Sequence, residues 1–168
     1  LPGISNAQVE SQEPEIPTLT LSVGNTSGQI GEEIAVPIEV ISNAHFKEPF
    51  RIILRFPPSK LQYTRLGVGP LPGQAGWKLE PELRTAPVAF DMSFLEISVE
   101  PGKGDFFPEG GLMAYAYFII AATLPDHLIE LSPSLRVLDG ESPVRVETAP
   151  AEIMAYPEVM MACLFYMH

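Results

Sequence analysis

Between Thr18 and about Val146 the apolar residues of this chain recur at every second position, in short runs broken by Gly, Pro and Asn. A period of two belongs to a β-strand, whose successive side chains point to opposite faces, and does not fit the 3.6-residue stripe of an amphipathic helix. TLTLSV sets Leu19, Leu21 and Val23 on one face, and EEIAVPIEVI does the same with Ile34, Val36, Ile38 and Val40. The segment between them, GNTSGQIG, reads as a turn. PFRIILRF turns Phe50, Ile52, Leu54 and Phe56 inward and Arg51, Ile53 and Arg55 outward. LQYTRLGV offers Leu61 and Tyr63, and FLEISVE alternates Leu95, Ile97 and Val99 with Glu96, Ser98 and Glu100. GLMAYAYFIIA carries Leu112, Ala114, Ala116, Phe118 and Ile120 on one side and Met113, Tyr115, Tyr117 and Ile119 on the other, so both of its faces need cover. APVAFDM, LIELSPSLRVL and PVRVE complete the series. The chain's 18 prolines, about twice the usual share, leave no window for a long helix. Pro37 has no N–H to give a ladder, which predicts an edge strand or a bulge at that point. About nine short strands joined by turns predict an all-β fold, an antiparallel β-sandwich.

A chain of 168 residues suits one domain. Residues 1–17 are acidic and proline-punctuated and read as a flexible leader; the sandwich is expected over 18–148, and 149–168 as an apolar tail. The opening LPGISNAQVE has neither Met nor an apolar signal core, which fits the mature end of a secreted protein. Ten basic against 21 acidic side chains give a net charge of −11, which repels nucleic acid and anionic lipid surfaces. The uncharged apolar run Val159 to Met167 is half the ~18–20 residues of a membrane span and no run reaches that length, so no membrane insertion is expected.

Residues with chemical potential are plentiful but poorly arranged. The single cysteine, Cys163, excludes an internal disulfide and any CxxC site. His45, His127 and His168 are scattered without metal-ligand spacing, and Gly24, Gly28 and Gly31 lack the GxGxxG pattern and the following helix of a phosphate loop. Asp105 and Glu109 in a turn fall short of the oxygens calcium needs. No carboxylate pair has legible catalytic spacing, so no enzymatic activity and no cofactor or metal are expected. Asn25-Thr26-Ser27 is formally a glycosylation sequon. Trp77, in a long Gly/Pro loop, and the Tyr115/Tyr117 pair have the flat amphipathic rings that stack on sugars.

Three blocks in order resemble cohesin modules, the receptor domains of cellulosome scaffoldins and related surface proteins. LTLSVGNTSGQIGEEIAVPIEV is similar to the cohesin opening of a strand, a Gly-containing turn and an xVPVxV strand. FRIILRFPPSKLQYTRL resembles the FxLxYDPxxLxxxxV segment, with Leu61 in place and Pro57 where Asp is usual. GGLMAYAYFII resembles the late GxLAxxxFxV strand. The resemblance implies a nine-stranded jelly roll, extracellular or at the cell surface in polysaccharide-degrading assemblies. It also implies a flat sheet that receives a dockerin, the calcium being carried by that partner. On this reading the receiving sheet contains Phe50–Phe56, Ala86–Met92, Phe94–Glu100 and Leu112–Ile120, and its outward residues are Arg51, Ile53, Arg55, Met113, Tyr115 and Tyr117. Arg51 and Arg55 replace the polar Asn or Asp that many cohesins carry there. The alternative is a carbohydrate-binding sandwich that uses Trp77 and the tyrosines on a polysaccharide.

The run from Val159 to Met167 must be covered, because each large apolar side chain gains ~1.5–3 kcal/mol on burial. A sheet edge, or a second copy exchanging tails in a homodimer, would serve. Deletion of residues 158–168 should leave a folded sandwich by circular dichroism and change the elution volume or solubility; an unchanged size and solubility would make the tail a dispensable appendage.

Overall fold

The computed structural model describes residues 16–43, 46, 48–70, 76–102, 110–121, 128–138 and 144–157. Residues 1–15 of the leader, Cys163, all three histidines, Asp105, Glu109 and the Val159–Met167 run lie outside them. The described chain forms eleven strands: β1 (Thr18–Val23), β2 (Thr26–Gln29), β3 (Glu33–Ser42), β4 (Phe50–Phe56), β5 (Leu61–Val68), β6 (Lys78–Thr85), β7 (Ser93–Glu100), β8 (Gly110–Ile120), β9 (Leu128–Val137), β10 (Arg145–Thr148) and β11 (Ala151–Tyr156). A five-stranded sheet runs β10-β1-β3-β8-β5 and a six-stranded sheet runs β2-β11-β9-β4-β7-β6. This is the expected all-β jelly-roll sandwich.

Eleven strands stand where about nine are expected, and the two ends of the chain account for most of the difference. The first run breaks at Gly24-Asn25 and continues in the opposite sheet, so Thr26–Gln29, expected as a turn, is strand β2. The last breaks at Ala149-Pro150 and does the same as β10 and β11, so the sandwich continues to Tyr156. KLEPELRT, unmarked by the sequence reading, is β6: it lies at a sheet edge, where Pro81 is tolerated and the inner face needs little apolar content. APVAFDM is not a strand; it holds a short 3-10 turn at Val88–Phe90, and Asp91 follows at φ 43°.

Alternation predicts the core well. Leu19, Leu21, Ile34, Val36, Ile38, Val40, Phe50, Ile52, Leu54, Phe56, Leu95, Ile97 and Val99 are all buried, and Phe118 packs edge-on against Phe56 with ring centres 5.1 Å apart. Pro37 is neither on an edge strand nor the bulged residue. Its carbonyl accepts from Gly24 N, and in an antiparallel strand a residue's N–H points to the same neighbour as its C=O. The missing N–H therefore faces β1 at the point where β1 has ended, past the Val23–Ile38 pair, and no ladder bond is lost.

The bulge lies one residue on and belongs to β8. Ile38 pairs with Ala114 and Glu39 with Leu112, leaving Met113 as the extra residue. Its side chain turns into the core at 0% exposure. At the same place Gly69 N donates to Met113 O, and a Cβ on Gly69 would sit 2.5 Å from the Leu112 carbonyl oxygen. Gly69→Ala should therefore cost about 1–3 kcal/mol, the range of forced overpacking. Urea unfolding measures it, and a cost under ~0.5 kcal/mol would contradict this close approach.

Candidate functional site

Each sheet turns one face outward, and the anticipated site residues divide between them. Arg51, Ile53 and Arg55 lie on the outer face of the six-stranded sheet, whereas Tyr115 and Tyr117 lie on the outer face of the five-stranded sheet, because β8 joins β3 and β4 joins β9. Of the four segments expected in one sheet, only Phe50–Phe56 and Phe94–Glu100 are neighbours. Met113 is buried by the bulge and offers nothing to a partner. Trp77 is 6% exposed and meets Phe50 edge-on at 6.4 Å, so its ring packs the core and is withheld from sugar stacking.

Register arranges the six-stranded face in rows. One row reads Arg136, Arg51, Ser98 and Glu80 across β9, β4, β7 and β6. The next reads Ser134, Ile53, Glu96 and Glu82, and the third Ser132, Arg55, Phe94 and Arg84. Ile53 and Phe94 are half-buried on adjacent strands and form an apolar centre. The Arg55 guanidinium carbon lies 5.8 Å from the centre of the Phe94 ring. Glu82 and Glu96 stand directly opposite each other, and Arg84 bridges them at 3.5 and 3.4 Å. Ser98, Phe94 and the acids of β6 and β7 were not anticipated as site residues; the alternation in FLEISVE marks the wet face of β7, but β6 carries no such signal. Beyond the third row a shallow depression of about 240 Å³ is lined by Arg55, Phe56, Pro57, Asp91, Met92, Glu130 and Ser132. Asp91 accepts from both the backbone N–H and the hydroxyl of Ser59, and these bonds hold its carboxyl below the usual range.

The five-stranded face closes on itself. The Arg65 guanidinium carbon lies 3.9 Å from the centre of the Tyr117 ring, and a Cβ on Gly67 would come within 2.9 Å of that ring, which lies across the glycine. Arg65 also pairs with Glu33 at 3.2 Å, and the Thr64 hydroxyl donates to Glu33 at 2.9 Å. Thr64 is itself the extra residue where the β5–β8 register shifts. Tyr117 is thus half-buried under its own chain's cation. Asn25, the sequon residue, accepts from Glu152 N through its side-chain oxygen and ties β11 to the crossing of the first strand. Among the described residues there is no group of three or more His, Cys, Asp or Glu side chains that could hold a metal.

The sequence matches no family model and no curated protein. Solved structures do resemble this one. A type I cohesin, the seventh of ScaB from Pseudobacteroides cellulosolvens, superposes with a TM-score of 0.63 at 14% identity, over 83% of this chain and 92% of that one. The third cohesin of ScaC from Acetivibrio cellulolyticus, solved in complex with the ScaB dockerin, gives 0.64 at 16% over 82% and 98%. A non-cellulosomal cohesin from the archaeon Archaeoglobus fulgidus gives 0.59 at 16% over 92% and 100%. At these identities the likeness establishes the fold, and the chain is a cohesin-like β-sandwich.

The hydrogen bonds from Thr64 and Arg65 lower the Glu33 carboxyl from its ordinary 4.5. A lowered folded-state pKa contributes stability above the unfolded value, and that contribution is lost as pH falls through the folded one. Glu33→Gln should accordingly lower the melting temperature at pH 7 and converge with the parent in acid below the usual carboxylate range. Parallel pH profiles for the two proteins would contradict the pairing.

Proposed function

We propose that this cohesin-like chain is a noncatalytic receptor module that binds a dockerin-like protein partner through the outer face of its six-stranded sheet. Ile53 and Phe94 form the centre of the contact, with Arg51 and Arg55 beside them. The observation that carries the reading is the fold itself, shared with a cohesin that was solved holding a dockerin. The face supports it: a half-buried apolar pair framed by charge resembles the desolvated centre and polar rim of a protein interface. The setting is extracellular or at a cell surface, in an assembly that degrades polysaccharide, and any calcium belongs to the partner.

Two features of the site weigh against the other classes. Asp91 and Glu33, the carboxylates with lowered pKa among the described residues, are both committed to hydrogen bonds with neighbours, which suits structural clips better than general acid–base roles. The carbohydrate reading loses two of its three rings, Trp77 to the core and Tyr117 to Arg65.

Affinity for dockerin-bearing proteins of the source genome tests the proposal. Ile53→Asp should weaken binding by about 30-fold or more, the ~2 kcal/mol of an interface centre, with a melting temperature near the parent's. Tyr115→Asp, on the opposite sheet, should leave binding unchanged. The reverse pattern would move the partner to the five-stranded face, and retention on insoluble polysaccharide without any protein partner would favour a sugar-binding module.

A further inference from the structure

The outer face of the six-stranded sheet carries three arginines that no described acid pairs with. Arg51 and Arg136 are register partners on β4 and β9, and Arg55 follows two positions along β4. Side chains directly opposite on one face have Cβ atoms roughly 4.5–5.5 Å apart, and like charges in that relation destabilise the pair. Among the described residues, the ion pairs join Arg65 to Glu33 and Arg84 to Glu82 and Glu96, and none includes Arg51, Arg55 or Arg136. Arg51 is half-buried, and its Nε is shielded from solvent without a hydrogen-bond acceptor. A desolvated charged donor left unmade is costly. Such a cluster stands out in a chain with 10 basic and 21 acidic side chains, where local acids are abundant. In the three rows that hold these arginines the acids, Glu80, Glu82 and Glu96, lie on β6 and β7, while Glu130 and Glu152 stand past the third row on β9 and β11, six residues along β9 from Arg136, so the cationic patch is the β9–β4 end of those rows.

We infer that the Arg51–Arg136 pair is the seat for a carboxylate of the protein partner, an Asp or Glu side chain placed between the two guanidinium groups. The inference rests on the proposed partner face and adds the chemistry and the orientation of what binds there. A guanidinium presents a fork of N–H donors that matches a carboxylate, and one carboxylate between two such forks removes their repulsion and gives a shielded donor an acceptor. Arg55, beside Phe94, extends the same half toward the apolar centre. Within these rows the partner therefore sets its carboxylate over the Arg136–Arg51 end and a neutral or basic side over β7 and β6.

Selection from a displayed dockerin scaffold with randomised surface positions tests this without knowledge of the natural partner. With the parent chain as bait, binders should be enriched in Asp and Glu at least tenfold over the starting library at one or two positions. With the Arg51→Glu, Arg136→Glu double variant as bait, the same positions should turn to Lys and Arg. Parent-selected binders should lose at least tenfold in affinity for Arg51→Gln and for Arg136→Gln. Arg136→Gln removes a like-charge neighbour and should melt no lower than the parent, which separates lost binding from lost fold. Binders that are abolished by Ile53→Asp but show no acidic enrichment would overturn the inference and leave the partner face standing. Binders indifferent to Ile53→Asp would overturn the partner face and this inference with it.

Discussion

The structure depends on two strands that change sheets. The first passes from β1 to β2 at Gly24-Asn25, and the last passes from β10 to β11 at Ala149-Pro150; the halves pair in parallel, β1 with β10 and β11 with β2. The crossing is tightly packed. A Cβ on Gly24 would come within 2.6 Å of the Pro37 ring, and the Asn25 side chain accepts from Glu152 N. With these crossing strands fixed in both sheets, β3 pairs beside β1 and β9 beside β11, and then β8 and β5 extend one sheet and β4, β7 and β6 the other. The separation of β4 from β8, which divides the outward residues between two faces, follows from that topology.

The two faces that result differ in how far the chain satisfies its own side chains. On the five-stranded side Arg65 serves both Tyr117 and Glu33, and the cation, the ring and the carboxylate complete one another. On the six-stranded side Arg84 bridges the opposed Glu82 and Glu96, yet the arginines of β4 and β9 meet no described carboxylate and the Ile53–Phe94 centre stays partly open. Buried charge and apolar surface without partners are what a binding surface retains and a purely structural surface loses.

Much of this architecture is legible in the sequence, because strict alternation is a direct image of a pleated strand with one buried face. It works for β1, β3, β4 and β7, and the cohesin resemblance correctly anticipates the fold. It fails where the period is broken or the face is poor. At Met113 a bulge inserts one residue and turns that side chain inward beside Ala114, against the outward place that the alternation of GLMAYAYFII gives it. KLEPELRT is an edge strand with an almost wholly exposed pattern and leaves no apolar trace. Trp77 reads as a loop residue because its own segment is Gly- and Pro-rich, and only the fold brings it against Phe50. Alternation also says which residues share a face of one strand, but not which strands share a sheet. The outward triplet of β4 was therefore legible and the resemblance put β7 in its sheet, but its neighbours on β6 and β9 were not.

The assignment of the partner to one sheet is open to a direct reading by methyl NMR with isoleucine labelling. Ile53 stands on the outer face of the six-stranded sheet, while Ile41 and Ile119 stand outward on the other. On titration with a dockerin-bearing partner, the Ile53 methyl should shift or broaden first and most, with Ile41 and Ile119 unmoved. Perturbation of Ile41 and Ile119 with a silent Ile53 would contradict the account.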